Sequence, residues 1–286
     1  MSREGGWQSR LAALRFDLAA LLAGALLPCA FAPLDLHLLA ILSPALLFLL
    51  WLRAASAAQA LRYGYLFGLG WFGVGVSWIY VAIHVFAQSP VALALGLTLL
   101  LVAVLALYPA LCGYLAWWLR RRWRLGEGIT LLLLYPLLWI GVELLRGKLL
   151  TGFPWLALGY SQIDTPLRGW APLIGVTGLA WIVLLSAAAL VWAARRRDRW
   201  SLLALSLIGS LWAGGAWLSD RPWTEPVGSP IRTVIIQGNL PQTTKWDSDQ
   251  IVHRLATYAY MTLDNHQESD LLIWPEAATP FYIQDE

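Results

Sequence analysis

Apolar residues run through this chain in long uninterrupted stretches, broken by short clusters of arginine, proline and charge. A helix needs roughly 20 apolar residues to cross the hydrocarbon of a bilayer. Stretches near that length occupy residues 16–32, 36–52, 61–86, 91–119, 129–145, 170–194 and 202–218. They predict about seven transmembrane helices and make 1–219 a membrane domain. The first two are short and joined by Pro33-Leu34-Asp35, which suits a tight pair. Arg10 and Arg15 before an apolar run have the look of a signal peptide. Further spans follow, and no small-residue cleavage site ends the first run, so it is read as a span.

The pattern changes at Ser219. Residues 220–230, rich in proline and charge, read as an exposed linker. Residues 231–237 are rich in β-branched side chains and end at Gly238-Asn239, which predicts a strand. Residues 247–266 read as a helix, with Asp247 or Ser248 as its cap and Ile251, Leu255, Tyr258 and Leu263 near one face. Residues 271–274 form a short apolar run, a buried strand closed by Pro275-Glu276. Strand, helix, strand is the opening of an α/β domain over 231–286, a fragment too small to bury a core of its own.

Composition narrows the class. Of 286 residues, 59% are apolar and 13% charged, and mean hydropathy is +0.61. Soluble domains average about 45–50% apolar and about 25% charged residues. A soluble enzyme over the whole length, a disordered chain and a disulfide-stapled module are all excluded. Cys29 and Cys112 lie inside apolar runs and read as small packing residues. The net charge of +3 does not point to nucleic acid, because the arginines cluster beside the spans. Arg3, Arg10 and Arg15 precede the first, and Arg53 and Arg62 separate the second from the third. Arg120, Arg121, Arg122 and Arg124 follow the fourth, and Arg195, Arg196, Arg197 and Arg199 follow the sixth. The alternate connections are poor in Lys and Arg. The positive-inside rule then makes the N-terminus cytoplasmic and everything after residue 218 outer.

Glu276 is the leading candidate for chemistry. It follows an apolar strand directly, and Pro275 stiffens the turn that carries it. Strand ends of α/β domains hold catalytic groups rigidly at an open rim, which suits a general base. The competing reading is a carboxylate that caps the next turn. His84 reads as a hydrogen-bonded interfacial histidine. Glu143 and Arg146, three apart, read as an ion pair on one helix face. Phe153-Pro154-Trp155 reads as an interfacial loop that could also line an acyl entry path. Gly64, Gly68, Gly70, Gly73 and Gly75 read as close helix packing, or as a lipid-sized gap beside the third span.

Several motifs taken together resemble one family. Val234-Ile235-Ile236-Gln237-Gly238-Asn239-Leu240-Pro241-Gln242, Lys245-Trp246, and Leu271-Leu272-Ile273-Trp274-Pro275-Glu276-Ala277-Ala278 resemble the start of the nitrilase-like domain of bacterial apolipoprotein N-acyltransferases. Gly75-Val76-Ser77-Trp78-Ile79-Tyr80-Val81-Ala82-Ile83-His84 resembles the family's third span. Glu143-Leu144-Leu145-Arg146-Gly147, Thr151-Gly152-Phe153-Pro154-Trp155-Leu156 and Gly159-Tyr160-Ser161-Gln162 resemble its fifth–sixth connection. The resemblance covers nearly the whole chain, in order. It implies a membrane α-helical bundle followed by the beginning of an α/β nitrilase-like (α-β-β-α) domain. It also implies a multi-pass enzyme of the bacterial inner membrane with its active site on the periplasmic side.

The implied reaction moves an acyl chain from a phospholipid donor, through a cysteine thioester, to the N-terminal diacylglyceryl-cysteine of an apolipoprotein acceptor, with no cofactor or metal. Nitrilase-like chemistry uses a Glu–Lys–Cys triad. Glu276 matches the Glu. Trp246 resembles a tryptophan near the acyl-lipid site, and packing against the membrane surface is an equal reading for it. The matching Lys and Cys have no counterpart here: the sequence stops ten residues after Glu276, and thiols inside apolar helices do not substitute. The expectation is a chain inactive alone, completed by further sequence or by a separate chain carrying the other half. The alternatives are a non-catalytic lipid-binding membrane protein and a transporter. No internal repeat is evident, and the charges sit mostly at span ends, which disfavours the transporter.

Overall fold

Helices occupy every one of the apolar stretches in the computed structural model, which describes residues 4–240, 251–276 and 278. In order they are α1 (Glu4–Leu26), α2 (Leu39–Arg53), α3 (Ala57–Gly75), α4 (Trp78–Phe86), α5 (Val91–Arg122), α6 (Glu127–Arg146), α7 (Pro166–Arg196) and α8 (Arg199–Ser219). Among the described residues, α5, α6, α7 and α8 are each long and apolar enough to cross a membrane. The pair α3 and α4, bent by 49°, makes a fifth crossing if taken as one span, and α2 is a shorter apolar helix of 15 residues.

Local chemistry explains several boundaries. Ser56 caps α3 by accepting from the backbone N–H of Gln59, whose own side chain accepts from Ala55. Asp198 caps α8 through Ser201. The 61–86 stretch, expected as one span, breaks after Gly75, where Val76 leaves helical geometry.

The core of the bundle is aromatic. Phe48 and Trp51 of α2, Phe67 and Trp71 of α3 and Tyr135 and Trp139 of α6 form a chain of ring contacts. Close approach of α3 to α5 and α1 depends on glycine. A Cβ on Gly64 would meet the Pro109 carbonyl oxygen at 2.2 Å, and one on Gly70 would meet that of Leu21 at 2.1 Å. The packing reading holds for Gly64, Gly68 and Gly70, but not for Gly73, where a Cβ would meet nothing within 4 Å. Outward, Leu93, Leu97, Leu100, Val104, Leu107 and Leu111 of α5 are exposed at helical spacing. Water would penalise such a stripe, and lipid accommodates it. The protein is a multi-pass membrane protein.

Contacts sort the helix ends into two groups. Arg62 near the start of α3 meets Asp17, midway along α1 at the start of the first apolar stretch, 3.0 Å apart. Trp117 near the end of α5 donates to the Ala54 carbonyl after α2, and Glu127 at the start of α6 pairs with Arg195 and Arg196 at the end of α7. The arginine clusters thus gather at one end. At the other end, His37 Nδ1 lies 2.8 Å from the Ser161 carbonyl oxygen, and Trp78 meets Trp155.

The chain divides into two compact units, Met1–Trp223 and Thr224–Glu286. In the second, β1 (Thr233–Ile235) and β2 (Leu271–Ile273) pair in parallel, with Val234 opposite Leu272, and α9 (Ile251–Asn265) forms the crossover. Parallel neighbours require such a crossover. The strands are shorter than the apolar runs because only three residues of each find a partner. Tyr258 is buried on α9 as expected, but Leu263 is exposed, because at about 3.6 residues per turn it lies about 120° round the helix from Ile251. The fold class is the expected one, a membrane helical bundle followed by the opening of an α/β domain.

Candidate functional site

Glu276 sits at the carboxyl edge of the small parallel sheet. β2 ends at Ile273, and a turn follows in which the Ala278 N–H donates to the Pro275 carbonyl oxygen at 3.3 Å. Glu276 occupies the exposed corner of that turn. Trp274 faces α9 rather than the carboxylate. Its Nε1 donates to Thr262 Oγ1 at 2.9 Å, and its ring lies 5.6 Å from that of Tyr258. Tyr258 in turn covers Gly238, where a Cβ would come within 2.9 Å of the phenol ring.

The turn after β1 and the turn after β2 therefore share one aromatic support. Asn239 in the first turn has φ 47°, the left-handed conformation that asparagine tolerates well. Carboxyl ends of parallel strands are where α/β folds place ligands. A carboxylate held on such a rim can accept a proton from a neighbouring group. Lys245 and Trp246, and the proposed helix caps Asp247 and Ser248, lie outside the described residues.

The other candidate residues belong to the bundle. Glu143 and Arg146 form the expected ion pair, with Arg146 Nη2 4.0 Å from Glu143 Oε2. Each also holds the loop that follows. Glu143 accepts from the Leu158 N–H at 3.1 Å. Arg146 Nη1 donates to the carbonyl oxygens of Phe153, at 2.8 Å, and Trp155. The Phe153 N–H returns to the Arg146 carbonyl at 2.8 Å. The guanidinium lies over Trp71 and Phe72, 5.6 and 5.4 Å from their ring centroids. Two side chains one turn apart thus fasten both ends of the 153–158 segment. The sequence offered the i,i+3 spacing but no sign of this loop clamp.

His84 Nδ1 lies 2.8 Å from the Ser89 carbonyl oxygen, and its ring stacks on Tyr80, which agrees with the hydrogen-bonded reading. Both cysteines are free. Cys112 is buried in the bundle and Cys29 is half-buried in the turn after α1.

Comparison with known proteins gives a consistent answer. The family model of the apolipoprotein N-acyltransferase N-terminal domain matches residues 23–189. The chain is 45% identical over 273 residues to the apolipoprotein N-acyltransferase of Methylococcus capsulatus, covering 93% of this chain and 52% of that protein. Its identity to the same enzyme of Coxiella burnetii is 42%, covering 94% of this chain and 55% of that one. For that of Azotobacter vinelandii it is 45%, covering 92% and 51%. The chain spans about half the length of the curated relatives it matches.

Proposed function

The chain belongs to the apolipoprotein N-acyltransferase family, and on that premise we propose that it serves lipoprotein maturation at the bacterial inner membrane. In this reading the arginine-rich end of the bundle faces the cytoplasm and the segment after α8 lies in the periplasm. The clustering of Arg62, Arg120, Arg195 and their neighbours at one end supports that orientation.

The single observation that carries the chemistry is the placement of Glu276 at the carboxyl edge of the parallel β1–β2 pair. Its carboxylate takes the proton of a cysteine thiol. The thiolate attacks the ester carbonyl of a phospholipid, and the lysophospholipid leaves as its alkoxide receives that proton from Glu276. A thioester results. The α-amine of the diacylglyceryl-cysteine then attacks the thioester, Glu276 removes the amine proton and returns it to the departing thiolate, and the amide is complete. A lysine stabilises the oxyanion in each half. Trp246 is assigned contact with the acyl lipid. Cys112 is buried and Cys29 half-buried within the bundle. The thiol and the lysine are therefore assigned to polypeptide outside these 286 residues, whether in continuous sequence or in a partner chain.

Complementation tests this reading. These 286 residues, together with the polypeptide that carries the thiol and the lysine, are supplied to a strain depleted of its own acyltransferase, and the N-terminal peptide of a lipoprotein is weighed. Triacylated peptide with the native protein and diacylated peptide with Glu276→Gln support it. Equal triacylation by both would refute the role of Glu276.

A further inference from the structure

The end of α5 carries a second site that the acyl-transfer reaction does not use. Leu52, Ala54, Trp117, Arg120, Arg121, Arg124 and Leu125 line a cavity of about 380 Å³. Three guanidinium groups meet there, and no carboxylate is among the described residues lining it. The neighbouring cluster is different, because Arg195 and Arg196 are paired with Glu127.

The arginines are arranged by the fold. Arg120 Nη1 donates to the Leu52 carbonyl oxygen at 3.3 Å, which ties it to the end of α2, and its side chain also neighbours Tyr135 and Glu127. Arg121 and Arg124 carry the free charge of the cavity. Arg121 lies over the Trp117 ring, 5.1 Å from the centroid. Arg124 has φ 50°, and Leu125 N–H donates back to the Arg120 carbonyl at 3.0 Å, so the chain reverses and returns Arg124 to the same cavity. The partial negative charge at the end of α5 favours cations there, but it amounts to about half an elementary charge. It does not balance three arginines.

We propose that this cavity binds the phosphate of an anionic phospholipid. Guanidinium forks match phosphate oxygens bidentately. Leu52, Trp117 and Leu125 give the cavity an apolar wall where membrane helices end, which fits a lipid headgroup better than a soluble anion. In the orientation proposed above, the lipid belongs to the cytoplasmic leaflet, opposite Glu276. The site itself does not depend on that orientation.

The test is lipid selectivity of the full protein in phosphatidylcholine bilayers, read by electron spin resonance of spin-labelled phosphatidylglycerol. Arg121→Gln and Arg124→Gln are each expected to weaken phosphatidylglycerol association about fivefold, while Arg121→Lys keeps the charge but not the fork and recovers only part of it. Arg197→Gln with Arg199→Gln, outside the cavity, is expected to change it less than about twofold. An equal loss in that control, or no loss in the cavity variants, overturns the proposal. Inorganic phosphate, added at constant ionic strength, is expected not to displace the lipid. Full displacement would make this a soluble-anion site and overturn the lipid assignment.

Discussion

Gly238 lies directly beneath the ring of Tyr258, so close that a Cβ would sit 2.9 Å from the phenol carbon. That contact joins the turn after β1 to α9, and the stacking of Tyr258 on Trp274 extends it to the turn that carries Glu276. Gly238→Val is expected to destabilise the second unit by about 1–3 kcal/mol through overpacking. Limited proteolysis after residue 223 would read the loss. Adding Tyr258→Leu should restore part of the protection. No recovery would mean that the ring is not what excludes a side chain at 238.

Arg146 holds the 153–155 segment through two carbonyl bonds and two ring faces. Arg146→Ala is expected to cost about 2–4 kcal/mol. Arg146→Lys should recover little, because an ammonium does not reproduce the planar fork. Thermal unfolding in detergent, with cleavage of the 147–157 loop as a second readout, checks both. Full recovery by lysine would show that charge alone suffices.

Glu143 accepts from the Leu158 N–H at 3.1 Å in addition to its ion pair with Arg146 at 4.0 Å. Glu143→Gln keeps an acceptor and is expected to stay within about 1 kcal/mol of the native protein, whereas Glu143→Ala leaves that N–H unpaired and costs about 1–3 kcal/mol. Unfolding midpoints that fall equally for both variants would show that the charge paired with Arg146 matters more than the acceptor.

The glycines of α3 divide by their surroundings. Gly64→Leu places bulk against the backbone of Pro109 and should lower folded yield sharply. At Gly73 a Cβ meets nothing within 4 Å, so Gly73→Ala should be tolerated or gain about 0.5–1 kcal/mol. Size-exclusion profiles and midpoints of the two variants compare them directly. Loss of fold in both would point to helix bending rather than close approach.

The features written into continuous local sequence were legible without the structure. Apolar run length marks the helices, and a β-branched run ending at Gly238 and a short apolar run ending at Pro275 mark β1 and β2. What escaped depends on distant partners. The break after Gly75 occurs where Leu156 and Pro28 close over that glycine, so a run that reads as one span bends. The 147–158 loop places Leu150, Thr151 and Leu156 at positive φ, and none of these residue types advertises that conformation. Without the loop, the carbonyls that Arg146 binds beside Glu143 are invisible. Glu276 was legible as the end of an apolar strand. Its neighbours on the rim were not, because Gly238 and Trp274 meet only through Tyr258 on the crossover helix.

The central claim is that the bundle delivers Glu276 to the face of the membrane opposite the arginine-rich helix ends. Site-directed labelling tests it most directly. With the other cysteines replaced, Glu276→Cys and Arg122→Cys are each exposed to a membrane-impermeant maleimide in intact spheroplasts. Reaction at position 276 before permeabilisation, and at position 122 only after it, is the predicted result. The opposite order would place the carboxylate in the cytoplasm and contradict the account.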